Sequence, residues 1–440
     1  MMRTDTPDKK TLKKATWRTY LLALLLDLLA LAANQLAVRS SAFADAYSHY
    51  VYRVLSLGIG SVMGLLPFSV VELLLYATIL FVLFDFAKQL CRALCVGAAC
   101  VHSPRVSQAS RTHAEASTNS KNASSTESQQ HTGAACPTHL LAAVARPLLH
   151  FLGHLFLILS SLLVLYVFLC GINYHRTSFS EEAGLSVTID AHGTVYDEAD
   201  LIALCDYLVT EINDTEAQLD VPCIGQTSET PKPSAAWLWH AGRTGQRAME
   251  KLGQRYRRLS GHYPYPKPIL NTWILSVQQT TGVYSPFTVE ANYNRDIAYY
   301  DIPFTICHEL SHLRGYMQEE EANFIGVLAT IGADDLYFNY SGFVSAWVYA
   351  GNALARIDST AFATLYSRIN ARTRQDMLYN NAYWQQFEGK PAEAHEQLND
   401  AYLKMQGQAT GVHSYGHVTD LMLEYFAENG TLTQSQGLKN

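Results

Sequence analysis

Three stretches of the chain are almost free of polar residues, and each is long enough to cross a bilayer core of about 30 Å at about 1.5 Å per residue. They run from Trp17 to Val38, from Phe68 to Leu90 and from Leu148 to Asn173. The first exceeds the apolar core of a signal peptide and ends without a small-x-small cleavage site, so it predicts a retained helix. Between the first two runs, Tyr47, Tyr50, Val51, Val54 and Leu55 recur at helical spacing. That pattern predicts an amphipathic helix within 39–67, lying on the outer membrane surface. From Ser103 to Ala135 the sequence is Ser, Thr, Asn, Gln and Ala with little apolar bulk. Such a stretch cannot offset the entropy of ordering, so segment 91–147 reads as a largely disordered loop.

After residue 174 the period becomes mostly helical. Asp197 to Asn213 and Ala235 to Leu259 predict two amphipathic helices, the second with Arg243, Arg247, Arg255, Arg257 and Arg258 on a solvated or membrane-facing side. Two short runs of strand type follow, Ile269 to Val277 and Val283 to Asn292. The fold class expected is therefore membrane-anchored and mainly α: three transmembrane helices, then a mostly helical α+β domain over 174–440 with a small sheet.

Charge sets the orientation. Lys9, Lys10, Lys13, Lys14 and Arg18 precede the first run, and Lys88, Arg92, Arg105, Arg111, Lys121 and Arg146 lie between the second and third, against only Arg39 and Arg53 in 39–67. The positive-inside rule puts the 1–16 tail and the 91–147 loop in the cytoplasm, and 174–440 outside the cell membrane. A net charge of −7 with no basic stripe argues against a nucleic-acid partner. Asp27, Glu72 and Asp85 lie in or near the apolar runs with no His or second carboxylate at ligand spacing, which favours structural roles. Of the eight cysteines, Cys91, Cys95, Cys100 and Cys136 share one loop without a paired CxxC, and Cys205, Cys223 and Cys307 follow later. Buried free thiols are the simple expectation, with a Cys205–Cys223 bridge as the alternative outside the cytosol.

The chemistry concentrates in DIPFTICHELSHLRG. Pro303 suits a first helical turn, and His308 and His312, four residues apart, put two imidazoles on one face. Two neutral imidazoles so aligned can share one zinc ion, and Glu309, directly after the first, can act as general base on a water. This is the H-E-x-x-H arrangement of zinc peptidases. A catalytic zinc takes three protein ligands, and Gly315 ends the helix in time for a third from Glu319, Glu320 or Glu321. Glu319 is preferred because Asn323 stands four residues on, where its amide can orient a ligand His. The other glutamates are expected to be solvated at a helix start. Near the C-terminus, His413-Ser414-Tyr415-Gly416-His417 precedes an apolar helix, and Tyr415 is the candidate to steady an oxyanion. The stretch PFTVEAN is the candidate edge strand for a peptide substrate, with Glu290 structural.

The chain resembles the bacterial domain of unknown function 3810 family. The stretches that carry the resemblance are PFSVVELLLY, GINYHR, GVYSPFTVEANYN, HELSHLRGYMQEEEANF and AYLKMQGQATGVHSYGHVTDLMLEYF. It implies a membrane-anchored, zincin-like (gluzincin-like) hydrolase and supplies no substrate. The expectation is a zinc metallopeptidase acting on a peptide or protein, endo- or exopeptidase left open. The competing reading is a non-catalytic membrane scaffold that binds a partner through the same domain. An intramembrane protease is disfavoured, because Arg314, the three glutamates and Asp334-Asp335 surround the motif.

Overall fold

Leu- and Ala-rich runs satisfy every backbone group internally only as helices, and in the computed structural model all three do so. It describes residues 9–101, 137–185, 196–219, 233–406 and 415–433. Among the described residues, three helices are long and apolar enough to cross a membrane: Trp17–Arg39 within α1 (Lys9–Arg39), Val70–Cys95 within α4 (Val70–Val101), and Val144–His175, mostly α5 (Pro137–Leu169). Helix α4 runs on to Val101 and α5 starts at Pro137, so both ends of the expected loop are helical, while Ser103 to Ala135 lies outside the described residues.

The chain divides into two units. The first, Met1–Leu26 with Tyr76–Ser161, is the apolar bundle. In it Asp85 accepts from the Gln89 amide at 3.0 Å and meets His154 Nδ1 at 2.9 Å. The sequence offered no partner for Asp85 because His154 lies 69 positions away.

The second unit, Asp27–Leu75 with Leu162–Asn440, carries the rest. Segment 39–67 is helical as its period predicts: α2 (Ser41–Tyr47), a π turn at Ser48–Tyr52 and α3 (Arg53–Met63). Ser40 caps α2 by accepting from the Phe43 N–H at 3.2 Å. One face is built into the unit, with Tyr47 and Tyr52 buried against Val167, Cys170, Ile172 and Met317. The opposite face leaves Tyr50 and Val54 exposed.

After α6 (Phe179–Ala183), helices α7 (Glu198–Gln218) and α8 (Ala235–Arg255) form as the period predicts. Asp197 closes a capping box with Asp200 at the start of α7. The arginines of α8 and the turn after it are not simply solvated: Arg255 donates to Tyr425 Oη, and Arg258 pairs with Asp45 and Glu182. Cys205 and Cys307 are buried free thiols, and Cys223 lies outside the described residues.

The strand expectations need correction. The first run, Ile269 to Val277, forms no strand: β1 (Lys267–Pro268) lies just before it, and the run itself turns into the short helix α9 (Trp273–Ser276). Glu72 accepts from the Leu270 and Asn271 N–H groups at 2.8 and 2.9 Å, taking the donors that would have continued a ladder. The second run is a hairpin, β2 (Gly282–Ser285) and β3 (Glu290–Tyr293), turning through Pro286 and through Val289 at φ 52°. Strand order is β1-β3-β2, with β1 parallel and β2 antiparallel to β3. The edge strand beside the site is therefore Gly282–Ser285 and not PFTVEAN, whose EAN lies in the middle strand. Glu290 is structural: it pairs with buried Lys267 and accepts from the Val70 and Val71 N–H groups that open α4.

The sheet packs on α10 (Asp301–His312), which also contacts α8, α11 (Glu319–Ile331) and α12 (Leu336–Ile357). Helices α13 (Ser359–Arg368), α14 (Ala371–Gln385), α15 (Lys390–Met405) and α16 (Tyr415–Asn429) complete the chain.

Candidate metal centre

Helix α10 is buried on nearly every side, so its polar side chains have few places to point. It ends at His312 and the chain reverses through Gly315, whose φ of 83° favours a residue without Cβ. Helix α11 then runs back, bringing Glu319 opposite the two imidazoles. His308 Nε2 and His312 Nε2 are 3.2 Å apart, and Glu319 reaches them at 3.3 Å and 3.9 Å. Glu309 comes to 4.0 Å of His308 Nε2, within a His308–Glu309–His312 group whose ligand atoms span 4.8 Å. Of the two carboxylates, Glu319 is the one that comes within 4 Å of both ring nitrogens and so could complete a metal site with them.

Electrostatics follow from burial and these contacts. Burial works against a charged His308, yet the Glu319 hydrogen bond and charge, helped by Glu309, raise it to about 9. Burial would likewise raise Glu319, but His308 outweighs it and holds the carboxyl at about 2. His312 is lowered to about 4 by burial, and Glu309 is pushed up to about 8 by the same cause.

Orientation of the rings comes from behind. His312 Nδ1 donates to the Tyr316 carbonyl at 2.6 Å, which leaves Nε2 with its lone pair toward Glu319. Asn323 lies beside the His308 ring and favours its protonated form, although His308 Nδ1 and Asn323 Nδ2 each stay without a completed hydrogen bond. The Tyr52 hydroxyl donates to the His312 carbonyl at 3.1 Å, so segment 39–67 reaches the end of α10.

The three glutamates separate cleanly. Glu321 is buried and accepts from Ser180 N and Oγ at 3.0 and 2.7 Å, capping α6. The expectation of a solvated Glu321 is therefore corrected: an adjacent helix start needed an acceptor. Glu320 is partly exposed and faces His417. Tyr415 opens α16, but its side chain, like all of His413, lies outside the described residues.

These groups open onto a cleft of about 1050 Å³. Its wall includes β2, the last turn of α5 at Tyr166, then Cys170 and Tyr174, and α15 at Glu393, Glu396 and Tyr402. Among the described residues that line it, six are Asp or Glu and none is Lys or Arg, so their field favours a cation. Tyr402 joins Tyr166 and Tyr174 through hydroxyl contacts of 3.0 Å. Motif spacing missed these tyrosines: Tyr166 sits in the third apolar run, Tyr174 in GINYHR and Tyr402 in AYLKM, all far from the H-E-x-x-H helix.

Gly282 was missed as well. A Cβ there would stand 2.5 Å from Glu309 Oε1 and 2.7 Å from Thr305 Cγ2. The β2 backbone thus lies directly on Glu309, whose carboxylate also faces the Tyr284 N–H, while Oε2 is buried without a partner. Gly282→Ala is expected to displace the Glu309 carboxylate, so that any turnover that depends on Glu309 falls at least about tenfold while the chain stays folded. Unchanged turnover in the folded variant would refute that close fit.

The family model described as Protein of unknown function (DUF3810) matches residues 138–423. Nothing matches among the curated proteins or the solved structures.

Proposed function

The chain belongs to the DUF3810 family, a description that carries no activity, and from that premise we propose that it is a membrane-anchored zinc-dependent peptidase with a zincin-like, gluzincin-like domain. One observation carries the reading: His308 Nε2, His312 Nε2 and the Glu319 carboxylate converge beside Glu309 in an acidic cleft. Two nitrogens bound to one zinc at about 2.0–2.1 Å in a tetrahedron stand about 3.3 Å apart. The 3.2 Å between the imidazoles and the 3.3 Å from His308 to Glu319 fit that spacing. The two nitrogens and the carboxylate also match the donor set of a catalytic zinc, with a position left open toward the cleft.

When bound, zinc would supply a Lewis acid that polarises the scissile carbonyl and acidifies water. The protein's own part falls mainly to Glu309. Its unpaired Oε2 can take a proton from the attacking water and pass it to the amine that leaves as the C–N bond breaks. The edge strand β2 can pair its backbone with an extended peptide, directing the scissile bond toward His308 and His312.

The deciding measurement is metal analysis of the full chain purified in detergent, with peptide hydrolysis as readout. About one zinc per chain is expected, and removal by chelator abolishes turnover. A folded sample that takes up no zinc on reconstitution leaves the non-catalytic scaffold reading in its place. The same proposal has the cleft facing outside the cell, from the excess of Lys and Arg on the opposite loops. A reporter fused after residue 173 should be active only outside; activity in the cytoplasm would reverse the orientation.

A further inference from the structure

Behind the metal helix, away from the cleft, four guanidinium groups meet. Arg53, Arg176, Arg258 and Arg314 line a pocket of about 20 Å³ together with His49 and Tyr52. That is room for one oxygen-sized atom. The carboxylates paired with these arginines are Asp45 and Glu182: Arg258 meets both, and Arg176 meets Glu182 at 2.9 Å. Arg53 and Arg314 instead donate to neutral carbonyls, those of Ser260 at 3.0 Å and His262 at 2.6 Å. Positive charge is therefore in excess.

Two further facts point to a missing acceptor. Arg176 and Arg314 are only 6% and 5% exposed, yet the Nε of each is buried without a hydrogen-bond partner. A buried N–H left unpaired costs about 1–3 kcal/mol, more on a charged group. Burial and repulsion by Arg314 together lower the proton affinity of Arg53, as expected for cations held close with no anion between them.

We propose that this pocket binds a phosphate group, one anionic oxygen seated among the four guanidiniums and the others at the mouth. Guanidinium forks match phosphate oxygens in geometry, and the charge-assisted bonds would satisfy the orphaned donors. The setting suits a lipid headgroup as its source. Between the first and second apolar helices, the segment that supplies His49 and Arg53 leaves Tyr50 and Val54 72% and 67% exposed, and Leu65 82% exposed. An exposed apolar face beside a cationic pocket is how a protein grips a membrane interface.

The test uses the full chain in maltoside micelles, which carry no phosphate, and reads its unfolding temperature. One arm adds phosphatidylglycerol to the micelles; the other adds inorganic phosphate, with chloride matched for ionic strength. Stabilisation by phosphatidylglycerol, lost in Arg53→Gln, identifies a lipid phosphate. Stabilisation by inorganic phosphate, lost in the same variant, identifies a free one. Both support the site. No response of the wild type in either arm overturns it, as does an equal response to chloride. Should Arg53→Gln fail to fold, Arg53→Lys keeps the charge but not the fork, and its response should weaken severalfold; an unchanged response counts against the site.

Discussion

Replacing Glu309 by Gln is expected to lower peptide hydrolysis by about 10²- to 10⁴-fold while the full chain keeps its zinc and its unfolding temperature. The amide matches the carboxylate in size, so it fits the space between Gly282 and Thr305, but it cannot take a proton from water. His312→Ala should instead lose the metal, because it removes one of two nitrogens that stand 3.2 Å apart. The glutamates of α11 complete the contrast. Glu319→Ala should strip zinc, whereas Glu321→Ala should keep it and lose about 1–3 kcal/mol of stability, since Ser180 N and Oγ lose their acceptor. If Glu309→Gln loses zinc as completely as His312→Ala, Glu309 is a ligand and the assignment of base and third ligand must be exchanged.

A second large effect is expected from truncation. A chain of residues 174–440 should fail to give a soluble, cooperatively melting domain, although its sequence looks self-contained. It lacks Tyr47, Tyr52, Val167, Cys170 and Ile172, which are buried together with Tyr174 and Met317. At about 1.5–3 kcal/mol for each large side chain, these contacts approach the whole net stability of a typical domain. The cut also removes Asp45, which accepts from Thr177 N and Oγ1 at 3.0 and 2.6 Å, and Glu72, which holds Leu270 and Asn271. Soluble expression of 174–440 with the full chain's melting transition would show that segment 39–67 is dispensable.

The contrast between these two predictions mirrors what was legible in the sequence. His308, Glu309 and His312 were legible because helix geometry converts a spacing of four into one face. Glu319 with Asn323 was legible for the same reason, once Gly315 marked the turn. The apolar helices follow from composition alone. Partners distant in the chain were not legible: Gly282 matters only because β2 lies against Glu309, and no local pattern marks a glycine as touching a carboxylate 27 positions away. Segment 39–67 has the period of a surface helix, and that period cannot say that Tyr52 reaches the carbonyl of His312. The strands were misread where β-branched residues suggested continuity: Glu72 captured the N–H groups of Leu270 and Asn271 in the first run, and the chain turned between Pro286 and Val289 in the second.

The helical hairpin that carries His308, His312 and Glu319 also has a kinetic meaning. These three converging groups lie between positions 308 and 319, so the entropy of bringing them together is that of closing one short loop. The cleft around them is assembled from Tyr166, Gly282 and Tyr402, whose closures span far longer stretches of chain. The order of events is then asymmetric: the hairpin can gather its ligands soon after it leaves the ribosome, and the walls that give the site its shape must follow.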